Sequence, residues 1–114
     1  MKSPRFDDDY LNDILNAIKT IEKHTKDLSY EDFMQFEMCI QAVILNIAII
    51  GESAGKISKK IQQKYPDIPF PAIVSMRNRL IHGYYDVDTY KVWLVIQDDL
   101  PMLKKQMQKI IDKL

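Results

Sequence analysis

The chain has 114 residues, 46% of them hydrophobic and 28% charged, with 16 basic side chains balancing 16 acidic ones. That length fits one domain around one core, and the composition is that of a folded globular protein rather than a disordered chain. Zero formal net charge excludes a strong global field for nucleic acid, so any RNA contact must come from local patches.

Asp7, Asp8 and Asp9 stand where a signal peptide would need an apolar segment, so the default expectation is a cytoplasmic protein. Leu11, Ile14, Leu15, Ile18 and Ile21 recur at steps of three and four, predicting a first amphipathic helix from about Asp9 to His24. The three aspartates supply a cap and favourable negative charge at its start. His24, near its end, reads as a surface residue. Ser29-Tyr30-Glu31-Asp32 is a capping box that opens a second helical segment.

The single cysteine, Cys39, excludes an internal disulfide and any zinc site built on several thiolates. Set among apolar residues, it reads as a buried inert thiol. Ile40, Ile44, Ile47, Ile50, Ala54, Ile57 and Ile61 then keep one stripe for six turns, straight through Gly51 and Gly55. Each glycine costs roughly 1 kcal/mol against alanine in a helix interior. Gly51, Ala54 and Gly55 therefore mark tight packing against another helix. The longest apolar stretch, Ala42 to Ile50, is interrupted by Asn46 and is too short to span a bilayer, so no membrane association is expected.

Pro66, Pro69 and Pro71 end the long helix and impose an extended connection, with Pro71 suited to the first turn of the next helix. Ile73, Met76, Leu80 and Ile81 give that helix its core face, and Gly83 is placed to stop it. Asp88 or Thr89 caps a last helical region, whose stripe runs through Trp93, Ile96, Leu100, Leu103, Met107, Ile110 and Leu114. Trp93 reads as core. Pro101 lies inside that run and should kink or split it. No segment alternates like a strand, and there are no repeats or low-complexity linkers. The prediction is an all-α, single-domain antiparallel bundle of four to five helices over residues 1–114.

Within it, Arg77 to Tyr84 reads Arg-Asn-Arg-Leu-Ile-His-Gly-Tyr. The guanidinium fork of arginine matches phosphate oxygens, and histidine exchanges protons near neutral pH. Together they suit cleavage of an RNA phosphodiester without a metal or cofactor. His82 would move protons between the ribose 2′-hydroxyl and the leaving 5′-oxygen, and Arg77 would stabilise the extra charge on the phosphorane. On a continuous helix at about 100° per residue, His82 lies roughly 140° from Arg77. Either the helix loosens at Gly83 or two chains share the site. Asn78, one turn before His82, could orient the imidazole. The plainer reading of the same residues is structural, with Arg77 or Arg79 pairing with Asp86 or Asp88.

The wider sequence resembles the HepT-type proteins of the HEPN superfamily, whose motif is Arg, four residues, His, one residue, Tyr. Arg77, His82 and Tyr84 fill it without a gap, and Asn78 is the usual polar residue after the arginine. Other landmarks follow in the family's order: Tyr10-Leu11, Asp13-Ile14-Leu15, Ile50-Gly51-Glu52, Tyr65-Pro66-Asp67-Ile68-Pro69 and Leu100-Pro101. Phe70 departs from the tryptophan of many relatives without touching the motif. The resemblance implies a HEPN-like fold and a homodimeric, metal-independent ribonuclease toxin with its site in the cleft between subunits. It also implies a minimal nucleotidyltransferase antitoxin that attaches AMP to the motif tyrosine. Carried over, the acceptor is Tyr84, with Tyr85 adjacent but off the motif. Cellular RNA is the implied substrate, transfer RNA being one candidate.

Lys56, Lys59, Lys60 and Lys64 form a basic stripe at helical spacing that could track an RNA backbone or simply face solvent. Glu52, beside Gly51, could pair with Arg77 or Arg79. A second reading of the whole chain is a catalytically silent helical module that docks the nucleotidyltransferase, or binds nucleotide or RNA, without turnover.

Overall fold

The computed structural model describes residues 5–81 and 86–114. Helix α1 spans Asp7–Thr25, α2 Tyr30–Gln35, α3 Glu37–Gly55, α4 Lys59–Lys64 and α5 Phe70–Leu80. Helix α6, Thr89–Leu94, passes through a π-helical turn, Val95–Asp99, into α7, Leu100–Asp112. The fold is all-α. α1 packs against α3 and α7, and α5 lies on α3, while α2, α4 and α6 are short connectors.

α1 forms as its periodicity predicts: Leu11, Ile14, Ile18 and Ile21 are fully buried. Each such side chain contributes roughly 1.5–3 kcal/mol of burial. They meet Val43, Ile47 and Ile50 of α3, also fully buried. The aspartates divide their work. The Asp9 carboxylate accepts the Phe6 N–H at 2.9 Å, closing the helix start. Asp7 instead reaches across the bundle, accepting the backbone N–H of Ser58 at 2.8 Å and its hydroxyl at 2.6 Å.

That contact explains one departure from the sequence reading. The stripe from Ile40 to Ile61 crosses Gly51 in a single helix but not Gly55, because α3 ends there. Ser58 is extended and caps α4, its Oγ accepting the Ile61 N–H at 3.3 Å. A serine cap held by Asp7 stabilises a break that apolar periodicity cannot reveal, since Ile57 and Ile61 are buried on either side of it.

The Ser29 box forms: Ser29 and Asp32 exchange backbone N–H bonds, both at 3.1 Å. Pro71 sits in the first turn of α5. Pro101 sits in the first turn of α7, directly after the π turn, in which the Leu100 N–H bonds back to the Val95 carbonyl. A proline without an N–H splits the last helical region as expected. Trp93 is half-buried and packs on Phe33, ring centroids 5.2 Å apart, with Tyr30 at 6.0 Å, so α6 docks on α2 through aromatic rings.

Helix α3 is apolar on more than its core face. At 19 residues with a mean hydropathy of 1.6 it is long and apolar enough to cross a membrane by length and composition. The helix also has a buried side that belongs to the bundle core. Met38 and Leu45 are 77% and 62% exposed.

Candidate functional site

The site begins with a glycine. A Cβ on Gly51 would stand 2.5 Å from the Cβ of Arg77 and 2.6 Å from its Cγ, whereas one on Gly55 would meet only Val74 Cγ2, at 3.6 Å. The two pairs run in opposite directions along the chain, so α5 lies antiparallel on α3. Gly51 is the point where the backbone of α3 meets the base of the Arg77 side chain. Small residues were expected to mark tight packing here, and Gly51 does so against the residue that opens the motif.

Arg77 is half-buried, and its Nη1 donates to Oδ1 of the exposed Asn78 at 3.1 Å. Asn78 thus engages the arginine. Among the described residues no carboxylate lies within ion-pair distance of Arg77 or Arg79, so pairing with Asp86 or Asp88 does not occur; Asp88 lies 4.0 Å from Lys91 and caps α6. A guanidinium held by packing at its base and by one neutral amide at its tip keeps donors for an incoming phosphate.

Helix α5 ends at Leu80, three residues before Gly83, and Ile81 is extended. Ile81 forms an antiparallel bridge with Val87. The residue that follows α5 is therefore held against the segment that leads into α6. The rotation expected for a continuous helix does not apply past Leu80. His82, Gly83, Tyr84 and Tyr85 lie outside the described residues.

Arg79 follows Arg77 by two residues and so points about 200° away on the helix. It lines a groove of about 390 Å³ between α5 and α7 with Asp67, Asp98 and Asp99, apart from Arg77. Glu52 is exposed and pairs with Lys56 at 3.3 Å rather than with either arginine. Four residues along the same helix is the simpler partner.

The lysine stripe is divided by the end of α3. Lys56 follows that helix, and its Nζ also lies 5.8 Å from the centroid of the Tyr10 ring. Lys59, Lys60 and Lys64 are on α4, with Lys64 5.7 Å from the Tyr65 ring. All four are exposed. The sequence reading missed the cleft between α1 and α3, where Tyr10 carries Arg5 at 5.2 Å as well as Lys56, and Arg5 pairs with Asp13. Its signal was the contact of residues some 46 positions apart, which periodicity does not carry.

Cys39 is buried, its Sγ 3.4 Å from the carbonyl oxygen of His24, and burial pushes its thiol pKa up from 9.0. It is an unreactive packing residue. His24 is exposed.

Residues 14–110 match the family model described as "Ribonuclease HepT-like". "Putative RNase MJ0125" of Methanocaldococcus jannaschii is 42% identical over 105 residues, covering 92% of this chain and 90% of its own. "Probable ribonuclease HepT" of Thermococcus cleftensis is 37% identical over 102 residues, covering 90% and 93%. A further relative, "Putative RNase TTE0752" of Caldanaerobacter subterraneus, is 33% identical over 113 residues, covering 99% and 98%. No solved structure matches the chain significantly.

Proposed function

The chain belongs to the HepT-like ribonuclease family, and from that premise we propose that it is a metal-independent endoribonuclease toxin acting on cellular RNA in the cytoplasm. The observation that carries the reading is Arg77: seated on Gly51, free of any described carboxylate, and held by Asn78. Its guanidinium binds the scissile phosphate and stabilises the charge that develops on it. His82 takes the proton of the ribose 2′-hydroxyl. That oxygen attacks the phosphorus, the bond to the 5′-oxygen breaks, and the 5′-oxygen takes a proton. Two copies of His82 in a homodimer divide the base and acid roles.

The exposed apolar side of α3, with Met38 and Leu45, supports a second copy as partner, because burying it removes apolar surface from water beside the helix that holds Arg77. The other partner is a minimal nucleotidyltransferase antitoxin that esterifies Tyr84 with AMP. A bulky anion two residues from His82 blocks the site and competes for Arg77. Purified protein should cleave RNA in EDTA, and the activity should vanish in His82→Ala and in Arg77→Ala. Equal trace cleavage by all three would leave the silent docking module as the better reading, with Tyr84 still its modified residue.

A further inference from the structure

A neutral chain that binds RNA needs a local basic surface, and the structure offers one that the sequence stripe did not indicate. Lys19 and Lys23 are four apart on one side of α1, and Lys26 follows directly after its last residue, Thr25. With Lys104 of α7 they surround a broad, open depression of about 730 Å³, floored by Leu28 and Ile96. Only Glu22 and Asp27 oppose them there, leaving an excess of two positive charges. Glu22 spends one carboxylate oxygen on Lys104, at 3.0 Å, and its other is buried without a partner among the described residues.

Three other concave surfaces among the described residues are poorer candidates. The α1–α3 cleft balances Arg5 and Lys56 with Asp13 and Glu52. The α5–α7 groove sets Arg79 against Asp67, Asp98 and Asp99, which repels phosphate. A smaller basic depression of about 260 Å³ holds Lys64, Lys109 and Lys113, but Tyr65 to Ile68 line it, at the start of α5 and away from its motif end. The large depression instead gathers four lysines around the largest volume of the four, about 730 Å³ against about 260 Å³ for the smaller basic one.

We propose that Lys19, Lys23, Lys26 and Lys104 form a contact surface for the RNA phosphodiester backbone, set apart from the cleavage site and selecting long or folded RNA over short fragments. None of the residues lining the patch belongs to α3 or α5, the helices that meet at Gly51 and Arg77. An RNA must therefore extend beyond the phosphate held by Arg77 to touch both. The inference rests on the ribonuclease reading and deepens it by naming the substrate class.

The test is binding of fluorescent total transfer RNA, by anisotropy against salt, to full-length His82→Ala protein, which holds the substrate uncut. Adding Lys19→Gln, Lys23→Gln and Lys26→Gln should weaken binding by about tenfold or more and flatten the salt slope by roughly 0.7 for each lost contact. Adding Glu22→Gln, which removes opposing charge, should tighten it by roughly twofold to fivefold. The opposite signs exclude simple misfolding as the cause. Affinity unchanged by the lysine substitutions, weakened by Glu22→Gln, or lost equally in a Lys59→Gln/Lys60→Gln control would overturn the patch, as would absence of binding at low salt. Wild-type cleavage of the same RNA decides the ribonuclease reading separately: cleavage that persists while the patch variants behave like the parent sinks the patch alone.

Discussion

Gly51 and Arg77 are in contact at a distance that no side chain larger than hydrogen allows on the α3 partner, with a Cβ there falling 2.5 Å from Arg77 Cβ. The nearest clashing atom is the arginine Cβ, which is fixed to the backbone and which no side-chain rotation can move away. Gly51→Ala must therefore push α5 off α3. It should cost about 1–3 kcal/mol by overpacking and misplace Arg77, reducing RNA cleavage by at least an order of magnitude. Gly55→Ala, with only an ordinary contact to Val74, should leave cleavage intact and change stability by less than about 1 kcal/mol. Thermal melts and cleavage rates of the pair check both arms.

The break between α3 and α4 makes a separate prediction. Ser58→Ala removes an N-cap and the hydroxyl bond to Asp7, keeping only the backbone N–H bond, and should cost about 1–2 kcal/mol in denaturant unfolding. Asp7→Asn should cost less, since its amide oxygen still accepts one of the two bonds. Equal stability of Ser58→Ala and wild type would mean that the connection is held by Ile57 and Ile61 alone.

How much of this was legible follows from the kind of interaction involved. Core faces of α1, α5 and α7 repeat every three to four residues, so Leu11 to Ile21 and Leu100 to Ile110 declare themselves. Caps written in adjacent residues, such as Ser29 with Asp32, are equally readable. The end of α3 at Gly55 was not, because the group that stabilises the break is Asp7, 51 positions from Ser58. At the site, the importance of Gly51 was visible as a helix-interior glycine, but its partner was not. Whether Glu52 pairs with an arginine or faces the surface was open in the sequence, because proximity to Gly51 says nothing about which way its side chain turns; it is exposed beside Lys56.

Helix α3 supplies the test of assembly. Leu45 is 62% exposed in the single chain, so Leu45→Lys should leave its fold and melting temperature nearly unchanged at low concentration. If α3 is the homodimer face, sedimentation should show wild type as a dimer and the variant as a monomer with much reduced cleavage. A variant that stays dimeric would place the interface elsewhere.

Cys39 gives a pH dependence with a definite sign. Burial raises its thiol pKa above 9.0 in the folded chain, so the folded state holds the proton where the unfolded state has lost it. Stability is fully present below pH 9 and falls as pH rises beyond it. Melts from pH 7 to 10 should show a steeper alkaline loss in wild type than in Cys39→Ala, which lacks the titrating group.

The most direct measurement of the central claim is the chemistry of the cut ends. Purified wild-type protein is incubated with a defined RNA in EDTA, and the fragments are weighed by mass spectrometry. Attack by the 2′-hydroxyl, with Arg77 and His82 in the stated roles, predicts 2′,3′-cyclic phosphate and 5′-hydroxyl ends that are absent from His82→Ala. Cleavage that requires a divalent cation and leaves 5′-phosphate ends would contradict it.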